Sequence, residues 1–200
     1  MSLWISTLVF VIIAYLVGSV CSAVIVAKLF HLPDPRLEGS KNPGATNMLR
    51  IAGKPYAILV LVGDMLKGTL PALLAHLVGL NAFCAGLVVI AAVLGHIYPV
   101  FLNFEGGKGV ATTLGGLLGF EPKLGFFIIL TWLITAFTSR ISSLSAIVAL
   151  TVLPLAVLFT MDRAAFLPFL ALSILVIYQH RENIQRLLNK TEPKMNFKKK

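Results

Sequence analysis

Apolar residues occupy this chain in long blocks, not at the alternating or helical period that an element with one wet face shows. Seven blocks stand out, at 4–29, 56–77, 82–101, 110–118, 124–138, 141–160 and 164–178. A helix needs about 20 mostly apolar residues to cross a hydrocarbon core of about 30 Å, and every backbone polar group there must be paired within the protein. The pattern therefore predicts an all-α, polytopic integral membrane helix bundle of about seven transmembrane helices. Block 110–118 is too short to span unaided and 124–138 is marginal, so five spans with a re-entrant segment is the competing count. No Lys or Arg precedes the first block, as a secretory signal would require, and it is read as retained. Between the first two blocks, residues 31–54 hold Pro33, Pro35, Pro43, Gly39, Gly44 and Gly53, which suits a structured loop better than a long helix or a strand. No internal repeat is evident.

Charge supplies the orientation. Of 200 residues, 58% are hydrophobic and 12% charged, with a formal net charge of +9. With seven spans and the N-terminus outside, Lys28, Arg36, Lys41, Arg50, Lys54, Lys108, Arg140 and the basic residues from Arg181 onward are cytoplasmic, as is the C-terminus. Only Lys123 and Arg163 then lie outside. A basic cytoplasmic face suits anionic membrane lipids, which accounts for the net charge and excludes nucleic acid as a partner. Residues 1–191 read as one membrane-embedded domain, and 192–200, ending in three lysines, as a basic, disordered cytoplasmic tail. Cys21 and Cys84 lie within apolar blocks without metal-like spacing, so they read as packing residues, with no metal site.

Polar residues in so apolar a chain carry the chemical information, because an ionisable group at membrane depth is costly unless paired or solvated. The first patch, Gly39-Ser40-Lys41-Asn42-Pro43-Gly44-Ala45-Thr46-Asn47-Met48-Leu49-Arg50, joins permissive glycines to hydroxyl, amide and guanidinium donors, an anion-binding vocabulary. Its alternative is a solvated loop. The second, Gly106-Gly107-Lys108-Gly109, precedes an apolar helical block, where a helix N-terminus attracts phosphate; the alternative is a tight interfacial turn with a snorkelling lysine. Neither has Walker A spacing, so a nucleotide triphosphatase is excluded. His96 closes the third block and offers a general base or a hydrogen-bond donor, whereas His31 and His76 read as structural. Asp64 and Lys67 stand i, i+3 on one helix and either pair with each other or support the site. Arg140 to Ser143 form a further patch, and His180 through Leu188 an amphipathic turn in which His180 and Asn183 share a face.

Together these patches resemble the bacterial acyl-phosphate-dependent glycerol-3-phosphate acyltransferases, the PlsY family, over nearly the whole chain. The carriers are Gly39-Ser40-x-Asn42-x-Gly44-Ala45-Thr46-Asn47-x-x-Arg50, Gly63-Asp64-x-x-Lys67-Gly68, Gly95-His96-x-x-Pro99-Val100-Phe101 running into Gly106-Gly107-Lys108-Gly109-Val110-Ala111-Thr112, Arg140 with Ser143-Leu144, and His180 through Leu187. Lys41 and Lys190 stand where the family often has glycine. The second departure leaves the last turn, and any role for Glu192, in question.

The resemblance implies acyl transfer from acyl phosphate to the 1-hydroxyl of sn-glycerol 3-phosphate, giving lysophosphatidate and phosphate, in phospholipid biosynthesis. It implies no cofactor, a bacterial cytoplasmic (inner) membrane with the active site facing the cytoplasm, and an acyl-phosphate-producing partner enzyme. The implied phosphate-binding residues are Ser40, Asn42, Gly44, Thr46, Asn47, Arg50, Gly106, Gly107, Lys108, Gly109, Ser143, His180 and Asn183. Ser40, Arg50, His96, Lys108 and Asn183 are expected to be catalytic, with Asp64, Lys67 and Arg140 in support. The H-x-x-x-x-D pair of acyl-CoA-dependent acyltransferases is absent, since Arg36 follows His31 at that spacing and Phe101 follows His96. Either His96 or the donor's own phosphate oxygen then accepts the proton. The rivals from other classes are a transporter or channel for phosphate compounds and a lipid-binding scaffold.

Overall fold

The computed structural model describes residues 2–160 and 163–195, which are helical or in turns and loops throughout. In chain order the helices are α1 (Leu3–Gly18), α2 (Ser22–Leu29), α3 (Ala45–Ile51), α4 (Lys54–Leu77), α5 (Ala82–Ile97), α6 (Val110–Phe120), α7 (Pro122–Ser139), α8 (Ser142–Thr160), α9 (Phe166–Tyr178) and α10 (Arg181–Leu188). Short 3-10 turns at Val100–Leu102 and Arg163–Ala165 follow α5 and precede α9. The local signals are those expected of helix ends. Asn81 caps α5 by accepting from the Cys84 N–H at 2.9 Å, and Pro122 opens α7 where its missing N–H costs nothing.

Among the described residues, five helical stretches are long and apolar enough to cross a membrane: Leu3–Leu29, Lys54–Leu77, Ala82–Leu102, Pro122–Ser139 and Ser142–Thr160. The pair Arg163–Tyr178 and Arg181–Leu188, bent by 59°, makes a sixth if taken as one broken span. The remaining block of the seven-span reading is α6, only 11 residues long. Trp4, Leu8, Ile58, Phe126, Phe137, Phe159, Leu167 and Ile174 are exposed on the bundle's outside, where a water-soluble fold would bury them and lipid receives them. This is a multi-pass membrane protein.

The core forms around α6, which packs on α4, α5 and α7. Leu117 of α6 is buried with Val89 and Val93 of α5, Ile128 of α7, Leu150 and Leu153 of α8, and Phe169 and Leu172 of α9. The α4–α6 approach is backbone to backbone: a Cβ on Gly115 would stand 2.0 Å from the Met65 carbonyl oxygen, and Thr69 Oγ1 donates to the Gly115 carbonyl at 2.9 Å. Small residues at such a crossing let two helices gain dispersion contacts that lipid does not supply.

Two local features depart from the sequence pattern. The block at 4–29 is interrupted between α1 and α2, and the Val20 carbonyl freed there accepts from Lys67 Nζ at 3.0 Å. The loop at 31–54 contains α3, whose Met48 is fully buried beside Ala57 and Val60 of α4. Burial of that one large side chain gives a seven-residue helix the tertiary support it lacks alone. Cys84 packs with Ala14 and Ala92, and Cys21 with Val24 and Val60, in two smaller apolar clusters.

Candidate active site

Lys108 stands in the turn 106–109, where Gly109 adopts φ +88° as the cap of α6. Its Nζ donates to Asn183 Oδ1 on α10. Asn183 Nδ2 in turn donates to Glu192 Oε1 at 2.6 Å, Ser143 Oγ at the start of α8 donates to the same oxygen at 2.6 Å, and Arg186 Nε donates to Oε2 at 2.7 Å. One carboxylate therefore gathers α8, α10 and, through Asn183, the turn ahead of α6. Burial holds the Lys108 ammonium below its ordinary range, and the Arg186 charge pushes the same way. Burial acts to raise Glu192, but the hydrogen bonds from Ser143, Asn183 and Arg186 outweigh it and leave the carboxyl below its usual value.

His180 is buried beside this network, at the bend between α9 and α10. Its Nδ1 lies 2.8 Å from the Val176 carbonyl oxygen. A carbonyl only accepts, so Nδ1 carries the hydrogen and Nε2 of the neutral ring is a lone-pair acceptor. Burial pushes the imidazole down to about 4, which keeps it neutral at pH 7.

The loop at 39–50 reaches the same region through α3, where Thr46 Oγ1 and Ser142 Oγ are 3.1 Å apart. Ser40 and Arg50 are exposed, and the Arg50 guanidinium has no hydrogen bond or ion pair among the described residues. Asn42 and Gly44 are half-buried beside each other in the turn before α3. Asn47, expected to meet a substrate phosphate, is instead spent on the loop. Its Oδ1 accepts from the Ser40 N–H at 2.8 Å, and its Nδ2 donates to the Pro35 and Glu38 carbonyls at 3.0 Å each. The amide thus folds the loop and leaves Ser40 and Arg50 on its outer side.

Three expected residues stand apart from this network. Asp64, Lys67 and His96 form their own buried cluster between α4 and α5, with Lys67 Nζ 2.9 Å and His96 Nδ1 3.6 Å from Asp64 Oδ1. His96 is 6% exposed. Gly106 and Gly107 lie against its carbonyl and its ring respectively. Arg140 is exposed in a left-handed conformation, and its contribution is its carbonyl, which accepts from the Met195 N–H at 2.7 Å.

Residues 192–195, assigned from sequence to the tail, are thus bonded to α8, α10 and Arg140; 196–200 lie outside the described residues. Arg186 joins the network without having been expected there, and Glu192, whose role the sequence left in question, is the carboxylate at its centre. The available signal for Glu192 was isolation, as the only acidic residue after Glu182 in a basic run. The last turn that carries it closes α10 with the Lys190 N–H on the Leu187 carbonyl and the Thr191 N–H on the Arg186 carbonyl, Lys190 taking φ +58°. Lys41 likewise takes φ +57°. Both lysines that replace the family's frequent glycine stand where glycine is the unstrained choice.

The bundle thus carries, at one end, a half-buried lysine, neutral hydrogen-bond donors and an arginine unpaired among the described residues, a chemistry suited to an anion. The comparisons with known proteins agree with that geometry. The family model described as glycerol-3-phosphate acyltransferase matches residues 8–190. A glycerol-3-phosphate acyltransferase of Shewanella sp. (strain ANA-3) is 50% identical over 194 residues, which is 97% of this chain and 95% of that one. That of Legionella pneumophila (strain Corby) is 48% identical over 189 residues, 94% of this chain and 68% of the relative. The crystal structure of PlsY (YgiH), an integral membrane glycerol 3-phosphate acyltransferase, in its glycerol 3-phosphate form superposes with a TM-score of 0.90 at 40% identity, covering 96% of both chains. Its lysophosphatidic acid form gives 0.88 at 39% identity and the same coverage.

The protein is a membrane-embedded acyltransferase. It belongs to the glycerol-3-phosphate acyltransferase family, as the resemblance carried by its polar motifs implied.

Proposed function

We propose that this chain transfers an acyl group from acyl phosphate to the 1-hydroxyl of sn-glycerol 3-phosphate, producing lysophosphatidate and phosphate as an entry step of phospholipid biosynthesis. The observation that carries the reading is the Lys108 ammonium, half-buried and held by Asn183 next to Ser143 and His180. Lys108 has further N–H donors to offer a phosphate, and Arg50 supplies a second cation from the loop. Ser40, Ser143, Asn183 and the backbone of the turn at 106–109 complete the anion site. The neutral His180 presents a lone pair, which suits a hydroxyl of glycerol 3-phosphate better than its phosphate oxygens.

In the transfer, the substrate hydroxyl oxygen bonds to the acyl carbonyl carbon, the carbon–oxygen bond to the donor phosphate breaks, and the hydroxyl proton passes to the departing phosphate. The donor is already activated, so positioning and neutralisation of developing charge supply the acceleration. His96 is enclosed between Asp64 and Gly107, which favours the donor phosphate over the imidazole as proton acceptor. The acyl phosphate donor is supported by the motif set and by the missing H-x-x-x-x-D pair. The linkage of the basic loop, the Lys108 turn, Ser143 and α10 at one end of the bundle supports a cytoplasmic site in a bacterial inner membrane, with the N-terminus outside.

Lys108→Ala should lower kcat/KM for glycerol 3-phosphate by about 100-fold or more, the loss of a desolvated charge-assisted contact. Arg50→Lys keeps the charge but loses the planar fork, and should raise KM for glycerol 3-phosphate about tenfold or more. Steady-state kinetics on both variants checks this. Near-normal constants in both would remove this cleft as the phosphate site.

A further inference from the structure

Asp64, Lys67 and His96 are between 2% and 6% exposed, on two spanning helices of the bundle. Burying ions there is costly unless they are paired. Lys67 accounts for part of the arrangement, since it satisfies the Val20 carbonyl freed between α1 and α2 while Asp64 neutralises it. That pair gives no reason for an imidazole at position 96. The His96 ring faces two ways. Its Nδ1 lies 3.6 Å from Asp64 Oδ1 and has no hydrogen-bond partner among the described residues. Its Nε2 lies against Gly107, where a Cβ would come within 2.0 Å. The backbone makes the same contact: the Gly107 N–H donates to the His96 carbonyl at 3.0 Å, and a Cβ on Gly106 would stand 2.1 Å from that oxygen. His96 is thus wedged between a buried carboxylate and the turn that carries Lys108.

We propose that Asp64 and His96 are positioning residues for the phosphate-binding turn. The carboxylate attracts the Nδ1–H, which sets the tautomer and plane of the ring; the ring sets the position of Gly107, and Gly107 sets where Lys108 meets Asn183. The proposal rests on the assignment of Lys108 to the phosphate site. It adds that a charge within the membrane-spanning part of the bundle controls the geometry of that site without touching substrate.

The test uses the full chain in detergent with glycerol 3-phosphate and acyl phosphate. The variants are His96→Leu, the charge-matched Asp64→Asn/Lys67→Met, and each combined with Lys108→Ala, assayed at raised enzyme concentration. Thermal melting establishes that each is folded. His96→Leu and the charge-matched pair should raise KM for glycerol 3-phosphate about tenfold while kcat changes less than about threefold, and each should cost less than about threefold further once Lys108 is already alanine. A structural role alone would not produce that coupling.

A wild-type KM in folded His96→Leu overturns the proposal. So does a collapse of kcat at unchanged KM, which would put the ring in the chemical step, or a full tenfold loss added on top of Lys108→Ala. If the charge-matched pair fails to fold for want of a cap on Val20, His96→Leu decides alone, since it leaves Lys67 and Asp64 paired. Lys108→Ala with an unchanged KM would instead remove the phosphate-site reading itself, which separates the two failures.

Discussion

Glu192 shows how one carboxylate can gather polar side chains from separate helices. It accepts from Ser143, Asn183 and Arg186, and so sets the orientation of two expected site residues, Ser143 and Asn183, from the last turn of the described chain. Its carboxyl is held below the ordinary range in the folded protein. The stability it contributes is therefore complete above its unfolded value of about 4.3 and is lost as pH falls through the lower folded value. Glu192→Gln should lower the melting temperature at neutral pH and flatten its decline on acidification; an unchanged acid profile would mean that other carboxylates govern it. Lys190, in the turn just before, adopts a left-handed conformation that costs an L-residue about 1 kcal/mol, so Lys190→Gly should raise the melting temperature by a few degrees. The polar residues of the site were legible in the sequence because polarity is conspicuous among apolar blocks. What each one touches was not: Asn47 spends its amide on Pro35 and Glu38, and Glu192 reaches back to Ser143, contacts that only the folded chain brings about.

At the scale of helices, the hydrophobic blocks anticipated every long element, with ends displaced by a few residues at the 3-10 turns beside α5 and α9. The gap between α1 and α2 was hidden because no polar residue interrupts the apolar run strongly enough, and the carbonyl released there is capped by Lys67 from another helix. Helix α3 was hidden because its support is Met48 packed on α4 and not any propensity of its own. The contact that fixes α6 at the centre is its backbone approach to α4. A side chain at Gly115 meets the Met65 carbonyl, a backbone atom that cannot rotate away. Gly115→Leu should destabilise the bundle by about 3 kcal/mol or more, read as a loss of folded protein in size-exclusion chromatography and thermal melting. A wild-type melting curve would show that α4 and α6 can separate freely.

For the whole molecule, the division of labour follows from the solvents it faces. Lipid sets the outer surface and makes the spanning helices apolar, and the end that carries the basic loops gathers the cations. This arrangement suits the proposed meeting of a soluble phosphorylated acceptor and an acyl phosphate donor at one site. The measurement that tests the claim most directly is acyl transfer by the purified, reconstituted protein to glycerol 3-phosphate from acyl phosphate, acyl-CoA and acyl-carrier protein in parallel, following lysophosphatidate and released phosphate. The account predicts product and stoichiometric phosphate from acyl phosphate alone. Equal product from acyl-CoA, or none from any donor in folded protein, would contradict it.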